Sequence, residues 1–192
     1  MNPNKFTEDI INILLPDNFY SDLSLDGNAL RFCESQILLD NYKSISIIGI
    51  GKTAPKEVIS LLNRLDSGNI NIQFPSLVFT KWQHSIDDPR IKCIESSHPY
   101  LDASSIEAGK QLMEYIQNLA PSTLVVLCLS GGASALVEQL KENVDSDEYF
   151  KVARNLIHSE IDIVDINFIR RHLSNIKNGG LLRVRPDLDW LA

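Results

Sequence analysis

Ser44-Ile45-Ser46-Ile47-Ile48-Gly49-Ile50-Gly51-Lys52-Thr53-Ala54 decides how the chain folds. The run from Ser44 to Ile50 is apolar and β-branched without polar alternation, the pattern of a strand covered on both faces. Gly51 ends it. Thr53 and Pro55 then suit the start of a helix that places Val58, Leu61, Leu62 and Leu65 on one side. A fully buried strand leading straight into an amphipathic helix belongs to a parallel sheet with helices packed on it.

Working outward, residues 77–80 and 91–94 read as further strands after turn-forming residues. Ser104 with Glu107 has the spacing of a capping box, and Ile106, Met113, Ile116 and Leu119 give the helix behind it an apolar stripe. Residues 123–129 form a second wholly apolar strand, broken by Ser130-Gly131-Gly132, with a helix expected over 133–140. Asp145 and Glu148 open a helix that turns Val152, Leu156 and Ile157 inward, and a helix over 162–173 buries Ile163, Ile166, Ile169 and Leu173. This alternation predicts a three-layer Rossmann-like α/β domain with a mainly parallel sheet, right-handed crossovers and helices on both faces, whose ligands gather at the carboxyl ends of strands. Residues 6–15 and 29–39 have helical spacing. The expected organisation is a helical segment over 1–43, the α/β domain over 44–182, and a tail or truncated edge over 183–192.

The 192 residues suit one domain, and 44% hydrophobic with 22% charged residues is ordinary for a globular protein. A net charge of −7 opposes nucleic-acid binding, while the local cluster Arg170, Arg171, His172 and Lys177 suits a small anion. No signal-peptide pattern opens the chain and no apolar run approaches the roughly 18–20 residues that cross a bilayer, so a cytoplasmic protein is expected, away from membranes. Cys33, Cys93 and Cys128 share no metal-ligand spacing and read as reduced structural thiols; no metal site is expected from these residues.

Two loops can carry chemistry. Residues 49–54, GIGKTA, satisfy the loose dinucleotide pattern G-x-G-x-x-A, but the ribose-holding acid is missing where the next strand ends in Phe79-Thr80-Lys81. Lys81 leaves a phosphorylated ribose open. A Walker loop would need glycine at Ser46, inside the strand. Lys52 sits where a cation and a helix start can share an anion; a tight turn packed against the helix is the plainer reading of its glycines. Ser130-Gly131-Gly132-Ala133-Ser134-Ala135 is the stronger signal, since paired glycines let successive N–H groups converge as an anion nest, with the dipole of the following helix adding positive potential. Its serines do not fit G-x-S-x-G. Asn167, Arg170 or Arg171, and Ser174 lie three or four apart on one helix, ahead of Lys177, Gly179 and Gly180. A solvated charged face is the plainer reading of that cluster, and His98 and Asp102 read as turn and cap elements.

Four segments in order, GIGKTA (49–54), SSHPYLDASS (96–105), LSGGASAL (129–136) and DINFIRRHLSNIKNGG (165–180), resemble the motifs of class II glycerate 2-kinases, which join an N-terminal DUF4147 domain to a C-terminal MOFRL domain and are often labelled hydroxypyruvate reductases. The resemblance implies transfer of the γ-phosphoryl group of ATP to the 2-hydroxyl of D-glycerate, with Mg²⁺. It implies catalytic roles for Lys52, on the family's GKAA lysine, and Arg170. Gly51 of GIGKTA, then Ser130, Gly131, Gly132 and Ser134 on SGGGSAL, and Asn167, Ser174 and Lys177 on EINxVRKHLSxIKGG would bind substrate or phosphate. Asn178 stands where the family has glycine, Thr53 where it has alanine, and Asp165 where it has glutamate. The family's SDVxGD segment and MOFRL domain have no counterpart here, so the resemblance implies part of a catalytic unit, inactive alone and needing a second copy or a separately encoded C-terminal half. A noncatalytic binding module for anions, sugar acids or nucleotides and an NADP-dependent hydroxypyruvate reductase are the alternatives.

Overall fold

The computed structural model describes residues 20, 22–32, 34–66 and 70–192. An antiparallel meander comes first: β1 (Leu23–Asp26), β2 (Ala29–Phe32) and β3 (Ser35–Leu38). Then follow β4 (Ser44–Ile50), α1 (Ala54–Leu65), β5 (Ser76–Lys81), β6 (Ile91–Ser96), α2 (Ala103–Gln117), β7 (Thr123–Leu129), the single turn α3 (Ala133–Leu136), α4 (Ser146–Ile157), α5 (Ile163–Leu173) and β8 (Asp189–Leu191). The large sheet runs β6-β5-β4-β7-β8, every pairing parallel. Strand order therefore reverses between β4 and β7, and their carboxyl ends open onto one crevice.

All of β4 is buried, and its side chains alternate between two cores. Ile45 and Ile47 meet Val58, Leu61, Leu62 and Leu65 of α1, with Leu23 and Leu30 of the meander beside them; Ile48 and Ile50 meet Phe79, Leu112, Ile116 and Val125 on the other face. The expected α/β architecture is thus the one observed, with α1 and α2 on opposite faces.

Four expectations change. Within 29–39 the chain forms the strands β2 and β3 where a helix was expected: Asp26 pairs with Ala29 across a two-residue turn in which Gly27 takes φ 59°, and Leu23, Leu25, Leu30, Phe32 and Ile37 face the core at a period of two. Residues 6–15 lie outside the described residues. The segment 183–192 is no tail, since Leu188 is buried and β8 pairs with Leu124–Val126 of β7; three residues are too few to show a period. After α3 the chain is extended, and Leu140 bridges Ser174, so 133–140 is one turn and not a helix. The cap of α2 is Asp102, paired with Ser105, while the hydroxyl of Ser104 accepts from the amide of Ser97.

Helices α4 and α5 stand off the sheet on a small cluster of Leu101, Ala135, Tyr149 and Ala153. Consequently Ile166 is the one buried residue of α5, and Ile163, expected inside, is exposed, as are Val152, Ile157, Val164 and Phe168. No helix among the described residues is long and apolar enough to cross a membrane.

Candidate functional site

The loops after β4 and β7 are stitched together. The amide of Ser130 donates to the carbonyl of Ile50 (3.0 Å), and the amide of Lys52 donates to the carbonyl of Gly131 (2.9 Å). Gly51 has φ 152°, and a Cβ there would fall 1.9 Å from Ser130 Oγ, so only glycine lets the loops approach. Gly49 likewise seats α1, a Cβ on it lying 2.7 Å from Val58 Cγ2. The G-x-G-x-x-A segment is therefore a packed turn, closed at the Lys52 amide. What it presents is the Lys52 side chain, exposed and laid along Gly131, whose Cβ would lie 3.5 Å from Lys52 Cε and 3.9 Å from Nζ.

The turn beneath that lysine is open. Gly132 sits at φ 96°, and among the described residues the amides of Gly131, Gly132 and Ser134 donate to no backbone oxygen. Ser130 Oγ is buried without a hydrogen-bond partner. A buried hydroxyl left unpaired costs about 1–3 kcal/mol unless water or ligand meets it. Because α3 is a single turn, these amides and Lys52, more than a helix dipole, set the positive potential here.

His98, two residues beyond β6, closes the third side. A Cβ on Gly132 would meet His98 Cδ2 at 2.9 Å, Nε2 at 3.0 Å and Lys52 Cγ at 3.1 Å, so imidazole and lysine stem converge on one glycine. Burial first, then Lys52 and Lys81, pushes the His98 pKa below the ordinary imidazole value. Sequence reasoning missed this neighbour; its only signal was a place within SSHPYLDASS.

A second group gathers on Glu138, fully buried and also missed. Its carboxylate accepts from Ser174 Oγ (2.6 Å) and Tyr149 OH (2.8 Å) and ion-pairs with Lys177. Burial pulls the Lys177 pKa down while Glu138 raises it, and burial foremost drives that of Tyr149 up. Ser174 and Lys177, expected to bind substrate, thus spend their polar groups inside. Arg170 reaches the first group by donating to the Ser134 carbonyl (2.8 Å), leaving its buried Nε unpaired, whereas Asn167 is exposed on α5. Gly51, Lys52, Ser130, Gly131 and Gly132 are therefore brought together, Arg170 and Ser134 adjoin them, and Asn167, Ser174 and Lys177 do not join. Asn178 has φ 54°, a backbone region that asparagine tolerates better than most residues, which explains how it replaces a glycine. Among the described residues no three His, Cys, Asp or Glu side chains gather to hold a metal ion.

A parallel sheet whose order reverses at β4, with its free amides and exposed lysine at the reversal, defines a Rossmann-like α/β domain with an open site at its switch point. The chain belongs to the family described as Domain of unknown function (DUF4147), whose model matches residues 4–189. It is 30% identical over 152 residues to a glycerate 2-kinase of Sulfurisphaera tokodaii, covering 77% of this chain and 36% of that protein. It is 31% identical over 137 residues to an Agrobacterium vitis protein that carries a provisional hydroxypyruvate reductase name, covering 71% and 30%. The crystal structure of glycerate kinase from Thermotoga maritima superposes with a TM-score of 0.75 at 25% identity, over 97% of this chain and 41% of that one. The chain spans about a third of the length of the curated relatives it matches.

Proposed function

We propose that this chain is the substrate- and phosphate-holding domain of a glycerate 2-kinase, which transfers the γ-phosphoryl group of ATP to the 2-hydroxyl of D-glycerate. The observation that carries the reading is Lys52 lying along the open Gly131–Gly132 turn at the strand-order switch. Phosphoryl transfer asks mainly for positioning and for positive groups around the phosphoryl oxygens. Lys52 supplies a mobile cation, the free amides supply fixed donors, and Ser130 supplies a hydroxyl with no other partner. Phosphoryl and carboxylate oxygens alike fit these donors. Mg²⁺ finds no acidic cluster among the described residues and is assigned no step.

The reductase alternative is weaker, because the Lys52 amide is closed by Gly131 and β5 ends in Lys81 where a ribose-holding acid would stand. Turnover is proposed to need more than these 192 residues, which span about a third of the matched relatives: a second copy or a C-terminal portion. Calorimetry with D-glycerate and with ATP, followed by a coupled assay of ADP release with and without a supplied C-terminal portion, tests the reading. Binding by the chain, weakened in Lys52→Ala, with turnover only in the mixture, is the expected result. Robust turnover by the chain alone removes the need for a partner. Binding without turnover in either arm favours a noncatalytic module, and no binding of either compound overturns the reading.

A further inference from the structure

We propose that His98 is the recognition point for the hydroxyl of a small 2-hydroxy acid, with Lys52 and Lys81 holding the adjacent carboxylate. The inference rests on the kinase reading and names the residue that selects its substrate.

The position of His98 is built. Ser96 Oγ donates to the Leu136 carbonyl (2.7 Å, buried) and the Ser97 amide donates to Ser104 Oγ (3.0 Å), tying the end of β6 to α3 and α2. The imidazole is thereby set against Gly132, where any side chain would strike its Nε2 edge. No hydrogen bond engages its ring among the described residues. The charged groups facing it are Lys52, from the loop after β4, and Lys81, at the end of β5; the nearby carboxylate of Glu95 is taken up by the amides of His84 and Ser85.

The inventory of donors and acceptors then decides the ligand. Two ammonium groups and the free amides of Gly131 and Gly132 only donate. A neutral imidazole acted on by two cations offers a lone pair, joined by the Ser130 hydroxyl that can give or take a hydrogen, in a site otherwise built for acceptors. A ligand that matches must be anionic yet donate one hydrogen beside its charge, which describes a carboxylate bearing a neighbouring hydroxyl.

The test compares D-glycerate with 3-hydroxypropionate, which keeps the carboxylate and lacks the 2-hydroxyl, on the whole chain carrying ¹⁵N-labelled histidine. His98→Ala is expected to weaken D-glycerate binding roughly tenfold and leave 3-hydroxypropionate unchanged, with His98→Gln restoring part of the loss through its side-chain oxygen. In the unaltered chain the His98 ring nitrogens should shift with D-glycerate and not with 3-hydroxypropionate. Inorganic phosphate binding and melting temperature establish that each variant is folded. If D-glycerate binds the unaltered chain and His98→Ala equally, or leaves the ring nitrogens unmoved, the role of His98 falls and the kinase reading stands. If phosphate binds and neither acid does, both fall together.

Discussion

Lys52 keeps its amide in the Gly131 bond and its side chain in solvent, so its charge can be removed without touching the core. Lys52→Ala should weaken binding of inorganic phosphate, read by calorimetry, while shifting stability by no more than about 0.5 kcal/mol. The same substitution should raise the His98 pKa toward its ordinary value in an NMR titration, since Lys52 is one of the charges holding it down. Because that pKa is lowered in the fold, the unfolded chain takes the proton first; the neutral ring's contribution is present above the unfolded value and is lost as pH falls from there through the lower folded value. Cys128 is pushed up to about 11, mainly by burial, so its alkylation at neutral pH should be slow until the chain is unfolded. Lys52 was legible because it follows two glycines in the turn between a strand and a helix. Glu138 was not, since one acid among Ala135, Leu136, Val137 and Leu140 looks like the wet side of a helix until Ser174, Tyr149 and Lys177 are seen to meet it.

Between elements, Glu138 is the latch that fastens α4 and the loop after α5 to the stretch beyond α3. Glu138→Ala leaves Lys177 buried without its partner and should cost about 3–5 kcal/mol in urea unfolding. Glu138→Gln keeps an oxygen for Ser174 or Tyr149 and should cost less, which separates the hydrogen bonds from the charge. The strands β4 and β7 were legible as unbroken apolar runs, and the helices α1 and α2 because each holds one helical period over its length. The meander was hidden because its apolar residues also satisfy a spacing of three and four, and the turn at Gly27 resolves the ambiguity only once β1 and β2 are paired. Helix α5 showed a period correctly but misled about burial: a stripe records which residues share a face and says nothing of what covers it.

Across the whole molecule, that exposed face and a groove of about 320 Å³ at the end of β7, where Leu129 and Leu182 stand exposed, are apolar patches of the kind that take a partner. Sedimentation velocity on the purified chain should show association that rises with concentration, and Ile163→Lys with Val164→Lys should reduce it without lowering the melting temperature. A monomer at every concentration would count against a partner on the α5 face. The site itself is as dispersed as the sheet, drawing on loops after β4, β6 and β7, which is why motifs located its parts while only pairing brought His98 to Lys52. The sheet's outermost parallel strand adds a matter of timing. While a ribosome still encloses residues 189–191, β7 has no neighbour on its far side, and its unpaired amides and carbonyls lie open to the next nascent chain on the same message. Each copy therefore passes through an adhesive stage during synthesis, and slower elongation after β7 would prolong the stage in which a chaperone has most to protect.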